Sequence, residues 1–492
     1  GFAVETESYF VLDAATGAKT NTGRSSGSSL LSQFGKLNYA FADKYLASVT
    51  VRRDGSSRFG EENRYGVFPA ATLGWRISRE DFFNDEGAVS DLKFRAGYGE
   101  VGNQSIGDLA RFGLYESRYG PNQDQFVPDF FNQYYNVGTA YDLGGNNGGT
   151  LPSGFVSIQA ANPALKWETT KEFNFGVDFG LFNNAVVGTF DYFTRETSDI
   201  LITPPIASVI GEGQQRVLNG ATTETKGWEL SVAYSKTWDS GFSMAVSTNF
   251  GAFKDEITFL PEEVRAGFPG TAENSILGQS QFSIFGYKTD GLFQSQADID
   301  ASPAQVGARP GGLKFQDLNG DNVIDSDDRD FIGNTLPDLE YGIRLDLGYK
   351  NFDFSIFGSG VAGRIGQDPY IFWNNFTQGR ENAGLGVLNA WTPTNTDTDI
   401  PSLSLAFNDQ RTSDYLYRKN SYFKIRNLQI GYSLPEEMIS KFWGMTGLRV
   451  YFQGENLFWF TPNDYIGSDP ERTSVDNIPV PTVLSLGLNL NF

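Results

Sequence analysis

The last ten residues, Val483–Phe492 (VLSLGLNLNF), constrain the fold more than any other stretch. Leu484, Leu486, Leu488, Leu490 and Phe492 alternate without a fault against Ser485, Gly487, Asn489 and Asn491. Side chains two apart share a face of a strand, so this segment has one apolar and one polar side. A one-sided soluble sheet would show the same alternation. The design recurs upstream in segment after segment, and that recurrence is the mark of a transmembrane β-barrel, with apolar side chains toward lipid and polar ones toward the lumen. No run approaches the roughly 18 apolar residues that a spanning helix needs. Only helices and closed barrels satisfy their backbone in lipid. The expected fold class is therefore all-β, a transmembrane antiparallel β-barrel with long extracellular loops.

Loop length orients the segments, because barrel turns are short on the periplasmic side and long outside. Leu30–Phe41 descends, Ala42-Asp43 turns it, and Lys44–Arg53 rises. Val67–Ile77 descends and Leu92–Tyr98 rises, with Lys93 and Arg95 facing the lumen. Glu172–Leu181 (EFNFGVDFGL) descends to the Phe182-Asn183-Asn184 turn and Ala185–Thr194 climbs back. Trp228–Trp238, Phe242–Phe253, Tyr341–Tyr349, Phe352–Phe357, Phe423–Tyr432, Leu448–Phe460 and Val483–Phe492 complete the series. A short periplasmic helix is expected from Pro435-Glu436-Glu437, with Pro near its first position. About thirteen segments alternate up and down. The first descends, so a rising strand should precede it, and Gly1–Leu12 (GFAVETESYFVL) fits that role.

Parity puts four large loops, Gly102–Thr170, Lys254–Pro337, Gly358–Tyr422 and Thr461–Val480, on the outer side. The first holds Phe126, Phe130, Phe131, Tyr134, Tyr135 and Tyr141 with a GGNNGG stretch at Gly144–Gly149. Those aromatics read as a loop core or as a lining for sugars or peptides near the mouth. Loops this long without structure of their own are usually functional.

Composition removes whole classes of chemistry. There is no cysteine and no histidine in 492 residues. Disulfides, thiolates, Ser-His-Asp and Cys-His catalysis and imidazole metal sites are all excluded. An enzyme is not expected. A net charge of −21 argues against nucleic acid as a partner.

One loop carries candidate metal chemistry. In DLNGDNVIDSDD, Asp317, Asn319, Asp321, Asp325 and Asp328 occupy positions 1, 3, 5, 9 and 12, and Val323 offers its carbonyl at 7. This is EF-hand ligand spacing, supplying about six or seven oxygens to a hard cation. Position 12 is Asp, as in dockerin-type loops. The usual glycine at 6 is Asn322, which also reaches the left-handed region. Structural Ca2+ in an extracellular loop is the expectation; the bland reading is an acidic, self-capping turn.

Eight segments together resemble one family. RRDGSSRFG, NPALKWETTKEFNFGVDFG, FNNAVVGTFDYFTRETSDIL, DLNGDNVIDSDD, GNTLPDLEYG, AWTPTNTDTDIP, FKIRNLQIGYSLP and LRVYFQGENLFWFT occur in the order seen in SusC/RagA-type TonB-dependent outer-membrane transporters. The resemblance spans most of Leu30–Phe492 and marks the chain as similar to the C-terminal barrel portion of that family. It implies a 22-stranded barrel with a plugged lumen, a plug carrying the TonB box, energy from the TonB-ExbB-ExbD complex, and a SusD-like lipoprotein over the mouth. Neither plug nor TonB box is in this sequence, which begins at Gly1 without an initiator Met or signal peptide. Residues 1–492 are thus expected to be one barrel portion of a longer product. The implied role is active import of oligosaccharides or peptides across the outer membrane of a Gram-negative cell. A passive binding or adhesion barrel is the alternative.

Overall fold

The computed structural model of the protein describes residues 26–84, 87–117, 155–203, 216–265, 276–368, 370–371, 375–376, 384–404, 407–439, 444–462, 465, 469–471 and 480–492. Thirteen long strands form one antiparallel sheet in sequential order. They are β1 (Leu30–Phe41), β2 (Tyr45–Ser56), β3 (Tyr65–Arg76), β4 (Val89–Asn103), β5 (Glu168–Leu181), β6 (Val186–Ile202), β7 (Leu218–Thr237), β8 (Phe242–Phe259), β9 (Leu339–Tyr349), β10 (Phe352–Ala362), β11 (Tyr422–Ser433), β12 (Gly447–Phe460) and β13 (Val483–Asn491). All thirteen segments expected from alternation are present. Among the described residues, β1 pairs only with β2, and β13 only with β12. The expected Gly1–Leu12 strand lies outside the described residues.

The short connections follow from turn chemistry. Ala42 and Asp43 both take positive φ, 51° and 55°, the handedness that matches the twist of a tight hairpin. Phe182, Asn183 and Asn184 do likewise between β5 and β6. The helix at the same end runs over Glu436–Ile439, and the amides of Met438 and Ile439 donate to the Pro435 carbonyl.

Register confirms two faces. Leu345 lies opposite Val246 and Ile356, and Val177 opposite Phe94 and Phe190, so apolar side chains gather on one side of the sheet. At the long-loop end the strands run further than alternation shows: β7 begins ten residues before Trp228, and β8 continues to Phe259. These extensions (NGATTETK, KDEITF) are mostly polar, and their few apolar side chains, Ala221 and Ile257, are buried with Leu260 and Ile276 rather than repeated along a face. The β7–β8 ladder also holds them, with Lys226 paired to Glu224 at 2.9 Å, and side chains tie the same ends of β5 and β6. Arg195 on β6 donates to Glu172 on β5 at 2.9 Å, and the Thr170 and Thr197 hydroxyls meet at 3.0 Å.

Beyond the sheet at that end, two long connections fold together. The segments 260–338 and 363–421 share a buried core of Leu292, Leu313, Phe315, Ile324, Ile371, Phe376, Trp391, Tyr415 and Leu416. Gly311 sits at φ 75°, and a Cβ there would collide with the Trp391 ring, so glycine is required. A second core under the β2–β3 and β4–β5 connections joins Phe59, Phe68, Ala110, Leu165 and Trp167. The aromatic run Phe126–Tyr141 and the glycine-rich Gly144–Gly149 lie outside the described residues.

Candidate functional site

The polar face of the sheet is built from alternate residues of the same strands that carry the apolar face. Lys93 and Arg95 lie on it, as the alternation implies, because Leu92, Phe94 and Ala96 take the other side. Lys93 Nζ donates to Asp178 at 3.1 Å, Arg95 Nε to Asp178 at 2.8 Å, and Arg95 also reaches Asp191 at 2.9 Å. Three adjacent strands are thus cross-linked by charge. Further along, Arg449 on β12 donates to Asp353 on β10 at 3.0 Å and to Gln429 on β11 at 3.0 Å.

Around the first of these charged clusters the inner wall of β1–β6 is concave. One cavity of about 510 Å³ is bounded by Asn38, Ser48, Thr72, Lys93, Arg95 and Asn174. A second, of about 670 Å³, shares Thr72, Gly97 and Asn174 and reaches Thr170, Glu172 and Arg195. Together they form a trough along the inner wall in which these hydrogen-bonding groups alternate with apolar ones such as Leu46, Ala70 and Val101.

The acidic loop belongs to the folded cap, since Ile324 is part of its core. The first half is shaped by its own carboxylates. Asp317 accepts from the amides of Gly320 at 2.7 Å and Asn322 at 2.9 Å. Asn319 accepts from Asp321 N at 2.9 Å and Asp321 from Val323 N at 2.8 Å. Asn322 takes φ 66°, the left-handed conformation expected of it. The second half is a capping box: Asp325 accepts from Asp327 N, and the fully buried Asp328 accepts from Asp325 N and Leu318 N. Among the described residues no three acidic side chains converge into a group that could hold a metal. The six residues named from spacing therefore share one loop, with their oxygens turned largely to backbone amides.

A second charged centre escaped the sequence reading. Lys424 alternates with Phe423 and Ile425 on β11 and is fully buried. Its ammonium donates to Asp469 at 3.1 Å and Glu471 at 3.2 Å. Arg426 donates to Glu471 at 2.8 Å, Tyr422 Oη to Glu471 at 2.9 Å, and Arg364 and Asn420 donate to the Pro470 carbonyl at 2.6 and 3.1 Å. Burial alone would raise the Glu471 carboxyl, but the Arg426 and Tyr422 donors outweigh it and hold it at about 2. Five side chains thus pin Asp469-Pro470-Glu471, from the last long loop, against the polar face. The visible signal was a lysine and an arginine in an otherwise apolar strand, FKIRNLQIGYS; their partners lie some 45 residues away.

The family model for "TonB dependent receptor-like, beta-barrel" matches residues 5–457. TonB-dependent receptor P3 of Formosa agariphila is 33% identical over 489 residues, covering 94% of this chain and 45% of its own length. The TonB-dependent receptor SusC of Bacteroides thetaiotaomicron is 30% identical, covering 96% of this chain and 45% of the relative. The solved structure of the RagAB peptide transporter superposes with a TM-score of 0.75 at 23% identity, over 99% of this chain and 51% of that one. The chain thus spans about half the length of the curated relatives it matches.

Proposed function

The chain belongs to the TonB dependent receptor-like β-barrel family, and from that premise we propose that it supplies part of the wall and the outer cap of an active importer. Its place is the outer membrane of a Gram-negative bacterium. The cargo is an oligosaccharide or peptide, uptake is energised through TonB-ExbB-ExbD, and a SusD-like surface lipoprotein works over the mouth. The apolar face of β1–β13 meets lipid. The observation that supports import over passive adhesion is the inner trough. It runs along the inner wall of β1–β6 past the paired charges of Lys93, Arg95, Glu172 and Arg195, and intersperses hydrogen-bonding groups with small apolar ones. That suits passage of a polar oligomer better than its retention.

The test uses whole cells carrying the full-length protein. Labelled oligosaccharides and peptides of graded length are offered with and without a protonophore. Import should require both the protein and the proton-motive force, and mild-detergent purification should co-isolate a lipoprotein. Uptake indifferent to the protonophore, or a protein that only retains ligand at the surface, would overturn the proposal.

Calcium at Asp317–Asp328 is part of the same reading. Asp317, Asn319, Asp321 and the Val323 carbonyl would supply the first ligands, and Asp325 and Asp328 would join by giving up amide contacts. The motive is charge: five acidic or amide side chains within twelve residues repel one another unless a cation neutralises them. Titration of the purified protein with calcium after chelation should raise protease resistance of the cap, and Asp321→Ala should abolish that response. An unchanged response in the variant would leave only a self-capped turn.

A further inference from the structure

At the short-turn end the outward face closes on a row of rings, and a turn outside the strands folds up against them. Phe41 lies opposite Tyr45 in register, and Tyr45 opposite Trp75. All three share the face of Leu37, Val49 and Leu73. Tyr65 stands on that same face, ten residues before Trp75 on β3. At about 3.3 Å per residue and a tilt near 40°, the two rings differ in height by about 25 Å, the span of a barrel's apolar band between its aromatic girdles. Tyr45 and Trp75 thus mark the periplasmic edge of that band.

The chain leaves β3 in a 3-10 turn, Ile77–Arg79. It turns again at once, the amide of Glu80 donating to the Ile77 carbonyl and that of Phe83 to the Glu80 carbonyl. The Glu80 carboxylate is thereby brought to the polar tips of the rings. It accepts from Tyr45 Oη at 2.7 Å, Trp75 Nε1 at 2.9 Å and Lys44 Nζ at 3.1 Å. Rings of an ordinary belt turn these tips to headgroups and water; here one carboxylate takes both. Because Tyr45 and Trp75 look outward, the turn that carries Glu80 lies on the lipid side of the rim rather than beneath the lumen.

Two residues further on, Phe82 is 71% exposed. A ring so bare needs an apolar phase to leave water, and the nearest is the one that meets Phe41, 57% exposed in the same row. Charge does not supply the attraction. Lys44, Arg76 and Arg79 stand against Asp43, Glu80, Asp81 and Asp91, leaving no positive excess for headgroup phosphates.

We propose that residues 77–83 form an interfacial foot, with the Phe82 ring inserted among the acyl chains of the periplasmic leaflet and Glu80 as its positioning residue. Glu80 ties the turn to the two girdle rings, and the turn presents Phe82 at the boundary where those rings end. This inference rests on the lipid-facing placement of the strands proposed above.

The test is made on full-length protein in phosphatidylcholine vesicles, carrying F82C labelled with bimane. The chain has no cysteine of its own, and unsubstituted protein treated with the dye gives the background. Quenching by lipid brominated in its acyl chains is read against quenching by aqueous iodide. V49C is the lipid-facing reference, and D239C, in the exposed turn between β7 and β8, the aqueous one. A probe about 5–10 Å inside the headgroup boundary should be quenched by the brominated lipid at least about twofold more than D239C. E80A should shift the F82C signal toward iodide, whereas E80Q, still an acceptor for both rings, should keep it. If V49C responds to brominated lipid and F82C matches D239C, the foot is overturned and the membrane placement stands. If V49C does not respond either, the lipid-facing reading falls with it. An F82C signal unmoved by E80A would overturn the positioning role of Glu80.

Discussion

The sheet and the cap treat the same residue types in opposite ways. In β13 Leu486 is 82% exposed and Leu488 65%, whereas in the cap Leu313 is 1% and Phe315 2% exposed. Both obey one rule, that apolar surface leaves water. On the proposed placement the apolar phase for the sheet is lipid outside the protein, and for the cap it is other side chains of the protein. A leucine in β13 needs no protein neighbour on its outer side; one in the cap needs partners a hundred residues away, as Phe315 needs Tyr415 and Leu416. The wall therefore depends on periodicity, and the cap on particular long-range contacts.

Truncating Phe315→Ala should break the cap and spare the wall, costing about 3–5 kcal/mol locally. Limited proteolysis should then cut within 260–421 while the strands still resist heat and detergent. Simultaneous loss of both would show that cap and wall are one cooperative unit. Val177→Arg is the converse experiment. It puts a charge on the lipid face and should cost about 2–4 kcal/mol near the bilayer midplane, read as impaired membrane assembly. Equal tolerance of arginine at Val177 and at its inward neighbours would refute the two-faced wall.

A smaller effect is expected one residue along. Asp178 faces inward and bridges Lys93 and Arg95. Asp178→Asn should therefore cost on the order of 1 kcal/mol, because all three side chains remain partly solvated. A double-mutant cycle with Arg95→Gln measures the coupling; zero coupling would make the bridge ornamental.

The mildest perturbation is acid. Glu471 is held at about 2, below the ordinary carboxylate value near 4.3. The stability it lends is present above about pH 4.3 and is lost as pH falls toward 2. Hydrogen exchange at Asp469–Glu471 should quicken only in that window, ahead of the wall. Loosening between pH 7 and 5 would show that Glu471 is not the group that holds the segment.

The thirteen described strands, their order and their two faces were legible in the sequence. A membrane strand meets two uniform phases, and a period of two records that meeting residue by residue. Leu345 and Arg344 announce their faces without knowledge of their neighbours. What the tertiary structure alone decided lies where the surroundings are not uniform. The mostly polar extensions of β7 and β8 carry too few apolar residues to show a period. Lys424 is buried only because Asp469 and Glu471 return to it, and the spacing of Asp317–Asp328 fixed a loop but not whether its oxygens turn to a cation or to backbone amides. Trp391 and Phe315 meet through a fold in two loops that local pattern does not encode. Alternation is a local property and survives in one dimension; a core or a buried ion pair exists only after distant segments meet.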